Sequence, residues 1–224
     1  MAAKKKAEAV IYANLSRARE LQDKLQLKKA VEIYTELLGM LGGVDHKAAV
    51  SQQTDAGILN IRQVLFQQLG VIRLHNKQAT AAADHFQVAV ELAELSAKAP
   101  GGVKTEPKAM SVLRGLFGKA LYHDDNPEAA IRQFDIALGH IGLLKKHRVD
   151  RLNLKAWKAR ALYAVGSETR SEAIKILETL LKVDEQHVGA LTLYAQVTPT
   201  SPHLQPLVAS HYMYVYVVWV LGGV

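Results

Sequence analysis

Apolar residues recur along most of this chain at the three-and-four spacing of one helical face. Ile58, Ile61, Leu65, Leu69 and Ile72 form the clearest such stripe. The pattern predicts helices over about residues 7–24, 28–40, 56–75 and 80–97. Two further helices fold back on each other between residues 111 and 139, and others follow over 149–165, 171–183 and 187–197. Punctuation separates them. Leu41-Gly42-Gly43 offers a left-handed cap, a polar linker covers 44–54, and Asn76 marks a turn. Pro100-Gly101-Gly102 is the strongest break, with a loop running on to Pro107. Asn126-Pro127-Glu128 is a start signal: Asn caps free amides, Pro suits the first helical position and Glu favours the positive end of the dipole. Ser171 is the expected cap of the helix it opens.

A constellation of small and bulky residues repeats on this framework. Gly118 and Leu121 on one helix precede Ala130, Phe134 and Ala137 on the next. Gly70 precedes Ala82, Phe86 and Ala89; Ala18 precedes Ala30, Tyr34 and Leu37; Ala161, with Trp157 before it, precedes Ala173, Leu177 and Leu180. In all four copies the two small residues stand 12 positions apart (18 to 30, 70 to 82, 118 to 130, 161 to 173). A fixed internal offset repeated four times marks a structural repeat. The expected contact is a small residue facing a small residue, with the bulky side chain filling the wedge beside them.

This arrangement resembles the tetratricopeptide repeat over roughly residues 7–197, and Trp157 matches the aromatic that family often carries four residues before its first small position. The resemblance implies an all-α, right-handed superhelical solenoid of antiparallel helix pairs, here about four pairs plus a partial fifth. The period departs from the family's usual 34 residues, since the second-helix alanines step by 52, 48 and 43. The closing proline is absent too, with Glu94 and Glu185 at its place in two copies.

The resemblance further implies a concave groove lined by the first helix of each pair. Carried over position by position, the groove holds Leu15 and Arg19, then Gln67, Val71 and His75, then Lys119, Tyr122 and His123, and lastly Lys155, Lys158 and Leu162. Some family members clamp chaperone C-terminal carboxylates with Lys, Asn and Arg at set positions. Leu15, Arg19, Gln68, Val112 and Leu116 stand there in this chain, so no such binding is expected.

Composition narrows the chemistry. The chain of 224 residues is 49% apolar, enough for a continuous core. It has no cysteine, which excludes disulfides, thiolate metal sites and a cysteine nucleophile, and fits a cytoplasmic or nuclear setting. The first residues, MAAKKKAEAV, lack the apolar core of a secretory signal and read as a solvated helix start. His123-Asp124-Asp125 reads as a helix end followed by turn and cap acids, with no second cluster to make a metal site. Gly115 to Lys119 lacks the spacing of a phosphate loop and falls inside a helix. No catalytic arrangement is found and no cofactor is expected.

The formal charge is +7, and it concentrates over residues 145–160. Lys145, Lys146, Arg148, Arg151, Lys155, Lys158 and Arg160 face one acid there, Asp150. Two readings stand: a solvated helix face, or a basic patch for an acidic protein segment, a phosphorylated partner or RNA. Trp157 is expected in the core, which leaves RNA without a stacking platform.

Residues 198–224 form a different text. Prolines at 199 and 202 break the helix, and 212–224 holds no charge. Three readings compete: an end segment packed on the open fifth pair, a segment foreign to the fold, or a membrane anchor. Pro206 to Val224 supplies 19 residues, interrupted by Ser210 and His211, against the ~20 apolar residues a spanning helix needs. The expected function is a protein-interaction scaffold taking an acidic or amphipathic segment within a larger complex. A membrane-tethered adaptor and an RNA-binding repeat are the alternatives.

Overall fold

In a computed structural model, the structure describes residues 2–42, 55–99, 101–102, 105–142 and 147–198. Among these the chain forms nine α-helices: α1 (Ala2–Asp23), α2 (Leu27–Met40), α3 (Ala56–His75), α4 (Ala79–Lys98), α5 (Pro107–His123), α6 (Pro127–Ile141), α7 (Arg148–Val165), α8 (Ser167–Val183) and α9 (Val188–Val197). Within each part of the chain, helices pack on their neighbours in sequence, an architecture consistent with a helical repeat array. The contacts divide the chain into residues 1–140 and 141–224, which are taken in turn. The expectations for the tail, including an anchor, concern residues that lie outside those described from 199 onward.

The fixed 12-residue step has a local cause in the first three hairpins. Each first helix ends in a left-handed residue that is not glycine: Leu25 (φ 57°), Lys77 (φ 59°) and Asp125 (φ 53°). The next amide then reaches back across six residues. Gln26 N donates to Leu21 O (2.8 Å), Gln78 N to Arg73 O (2.9 Å) and Asn126 N to Leu121 O (2.9 Å). This closure satisfies carbonyls that the helix end would otherwise leave bare. The same residue caps the second helix, whose fourth residue bonds its carbonyl: Ala30 N to Gln26 O, Ala82 N to Gln78 O and Ala130 N to Asn126 O, at 3.0–3.2 Å. Asn126 also accepts from Ala129 N through its side chain (3.3 Å), as its place in the start signal predicts.

In two of the hairpins the first small residue, a glycine, packs against the aromatic of the second helix. A Cβ on Gly70 would lie 2.8 Å from the ring of Phe86, and one on Gly118 would lie 2.7 Å from that of Phe134. Ala18, Ala30, Ala82, Ala130, Tyr34, Phe86 and Phe134 are fully buried. Polar bonds hold the helices antiparallel. Ser96, late in α4, donates to Asn60 Oδ1 (2.7 Å) early in α3. Buried Ser111, early in α5, donates to Ala137 O (2.7 Å) late in α6. Arg114 ties three helices together, donating to Glu94 of α4 and to Gln133 Oε1 of α6 (2.8 Å). Arg62 is fully buried in α3, and burial lowers its pKa.

In residues 141–224 the turn is built differently. Gly166, at φ 140° and ψ −162°, is the single residue between α7 and α8. The backbone there occupies a region essentially reserved for glycine. Thr169 then donates to Leu162 O (2.5 Å), sealing the end of α7. The second helix therefore opens at Ser167, and Ser171 lies exposed inside it rather than capping it. Helix α5 likewise starts at Pro107, assigned above to a loop, because proline fits a first helical position. Helix α9 packs on both α7 and α8. His187 Nε2 donates to Asn153 Oδ1 (3.2 Å) near its start, and Arg170 donates to Val197 O (2.8 Å) at its end. It runs in the direction of α7.

Candidate protein-interaction surface

The residues that the groove reading singles out fall in both parts of the chain. On α1, Arg19 is exposed, whereas Leu15 is buried and belongs to the core. On α3, Gln67 accepts from Gln63 Nε2 (3.0 Å), Val71 is half-buried and His75 is exposed in the last turn. On α5, Lys119, Tyr122 and His123 stand at three-and-four spacing, which puts them on one side of the helix. Lys119 is half-buried, and loss of hydration there lowers its pKa. The Tyr122 and His123 rings meet edge to face at 5.3 Å.

In the second part, Lys155 and Lys158 are half-buried on α7, and Lys158 Nζ lies 3.4 Å from Glu172 Oε1. Leu162 is core, which corrects its assignment to the groove. The reason is the same for Leu15: an apolar side chain at these places gains more from neighbouring helices than a groove position would give. Lys145 and Lys146 lie outside the described residues. Arg148 donates to Val183 O (2.5 Å), the last carbonyl of α8, and Arg151 donates to Gly142 O (3.2 Å). Both guanidiniums therefore hold backbone carbonyls, a structural use of bases that the sequence shows only as charge. Trp157 is half-buried rather than fully enclosed, and the Arg160 guanidinium sits 4.9 Å over its ring. Arg170 likewise lies 5.4 Å over Tyr163.

The His123-Asp124-Asp125 stretch is accounted for by the fold. Asp124 accepts from Thr80 of α4, and Asp125 is the left-handed residue of its turn. Among the described residues no three His, Cys, Asp or Glu side chains converge as metal ligands, and no helix is long and apolar enough to cross a membrane.

One feature was not legible in the pattern. A hollow of about 420 Å³ opens within residues 1–140, where α4 and α6 end and α5 begins. Ala93, Ala97, Met110 and Gly139 line it, with Lys98 and His140 exposed beside them. The signal for it was three small residues near two helix ends, which reads in sequence as ordinary packing. No protein-family model matches this chain, and no curated protein does.

Proposed function

We propose that this protein is an interaction scaffold: a divergent tetratricopeptide-like array whose hairpins stack into a right-handed superhelix and receive a segment of a partner protein. The carrying observation is the hairpin itself, built three times with the same turn and cap, and twice with the same glycine-on-phenylalanine contact. Such units bury their apolar faces on neighbours and leave helix faces available for recognition. On α5 that face presents Lys119, Tyr122 and His123, a mixture suited to an acidic or amphipathic segment.

Affinity capture with the full chain, read by mass spectrometry, tests this. A partner retained by the wild type and by Glu20→Lys, but lost with Lys119→Glu or Tyr122→Ala, is the expected result. An identical set of captured proteins for all four would overturn the reading.

RNA binding is the second reading, favoured by one observation. The Arg160 guanidinium stacked over Trp157 presents a flat cation on which a base could stack. A salt-sensitive mobility shift abolished by Arg160→Ala supports it; no shift at low salt removes it.

A further inference from the structure

We infer that α9 is held by a pH-sensitive latch: the neutral His187 ring fastens the helix to α7, and proton uptake by that ring releases it. Helix α9 has 10 residues, and it buries Ala190, Leu191, Leu193, Tyr194 and Val197. Helices that short are marginal in water on their own. Its order therefore depends on packing against α7 and α8 and on how its ends are held.

The loop before it sets the start. His187 N donates to Asp184 O (3.2 Å) and Gln186 N donates to Asp184 Oδ1 (3.3 Å). His187 then stands at the N-cap with extended backbone (φ −66°, ψ 98°), and its Nδ1 accepts from Ala190 N (3.2 Å). A backbone amide can only donate, so Nδ1 is bare and the ring proton lies on Nε2. That nitrogen donates to Asn153 Oδ1 of α7 (3.2 Å). One neutral tautomer thus caps α9 and ties it to α7 at once.

A proton on Nδ1 turns the acceptor into a donor aimed at another donor. It also places positive charge at the positive end of the helix dipole. Ala190 N then keeps only His187 O (3.0 Å), and the side-chain cap is gone.

The charges around the ring do not cancel this. Among the described residues the ring has no charged partner, and α9 itself carries no charged residue. In the loop, Asp184 is turned to the Gln186 amide and Glu185 is exposed, where solvent screens it. On α7, Arg148 donates to Val183 O, and Asp150 lies 3.9 Å from His147 Nδ1. On α8, Glu178 accepts from the Tyr194 hydroxyl (3.3 Å) and Lys182 is exposed. His147 is the other described imidazole of this part of the chain; protonation gives it an ion pair with Asp150, which acts in the opposite sense. A cap that needs the neutral ring is complete above the ordinary imidazole value of about 6.5 and is lost as pH falls through it.

Hydrogen exchange on the full chain tests this, read by mass spectrometry for peptides covering α9 and corrected for the intrinsic pH dependence of exchange. Between about pH 7.5 and about pH 5.5, on either side of the imidazole range, protection of α9 is expected to fall about five- to tenfold while α8 keeps its own. Asparagine caps well and does not titrate there, so His187→Asn should flatten the response. Asn153→Ala should lower protection at both pH values and retain the fall. Equal protection of α9 at the two pH values, or the same fall in His187→Asn, overturns the inference. Should His187→Asn leave α9 unprotected throughout, the ring nitrogen chemical shifts of the wild type decide: a bare Nδ1 at about pH 7.5 supports the latch, and a proton there overturns it.

Discussion

Gly118 lies so close to the ring of Phe134 that a Cβ there would approach Cε1 to 2.7 Å and Cδ1 to 2.9 Å. Phe134 is fully buried and its ring has no open side to move toward. Gly118→Ala therefore sets about 1 kcal/mol of improved helix propensity against an overpacking cost of about 1–3 kcal/mol. Net destabilisation is expected in urea unfolding. Adding Phe134→Leu should recover part of it, since alanine and leucine stand at the corresponding positions, 161 and 177, of the fourth copy. Gly139→Ala, with open space around its Cβ, should instead stabilise by about 0.5–1 kcal/mol. Equal effects at 118 and 139 would refute the packing account.

The left-handed turn residues give a second pair of opposed outcomes. Lys77 and Leu25 hold positive φ with full side chains, a conformation costing about 1–2 kcal/mol outside glycine. Lys77→Gly and Leu25→Gly should each raise stability by up to about 1 kcal/mol, less whatever glycine adds to the freedom of the unfolded chain. Gly166→Ala should lower it by about 1–3 kcal/mol, because its backbone region excludes a Cβ. Thermal denaturation of the three variants decides the matter.

Tyr34 provides a pH signature. Burial pushes its phenol from the ordinary 10.0 up to about 12, while its hydroxyl donates to Gln22 Oε1 at 3.1 Å. The fold favours the neutral phenol, so its contribution is complete below pH 10.0 and is lost as pH rises toward 12. Ultraviolet titration of the 8 tyrosines should show one ionising late, and Tyr34→Phe should remove that component. It should also flatten the decline in stability above pH 10.0. A late component that survives the substitution would rule out Tyr34 as its source.

The basic stretch should act first on stability. Arg148→Ala and Arg151→Ala each delete a bond to a backbone carbonyl. A loss of about 0.5–1.5 kcal/mol apiece is expected, at the low end because both bonds are exposed. Lys155→Ala, for which no such bond is described, should be nearly neutral. If the arginine variants unfold like wild type, those carbonyl contacts are not stabilising.

Much of the architecture was written in periodicity. The helix over residues 56–75 is found with the predicted bounds because Asp55 accepts from Gly57 N and Ile58 N and an apolar stripe runs its length. The hairpin step was legible as a number, but its mechanism was not, since Leu25, Lys77 and Asp125 share a backbone conformation and no side-chain chemistry. The start of α8 was missed for a related reason: one glycine with an extreme φ replaced a turn of several residues. Arg62 stands among the apolar residues of α3 and is fully buried, which nothing in the helical period announces. Of the residues proposed for the surface, Arg19 and His75 are exposed. The hollow was not legible, because it forms where the ends of two helices meet the start of a third, and Ala93, Ala97 and Gly139 read singly as ordinary packing.

The closing bonds of each early hairpin all lie between the end of one helix and the first turn of the next. Nothing in that junction depends on how far either helix extends away from it. Residues can therefore be gained or lost at the distal ends without disturbing the crossing, which is why intervals of 52 and 48 between the three early hairpins coexist with their shared 12. The molecule has a rigid knuckle and adjustable fingers, and natural length variation is expected to accumulate in the fingers alone.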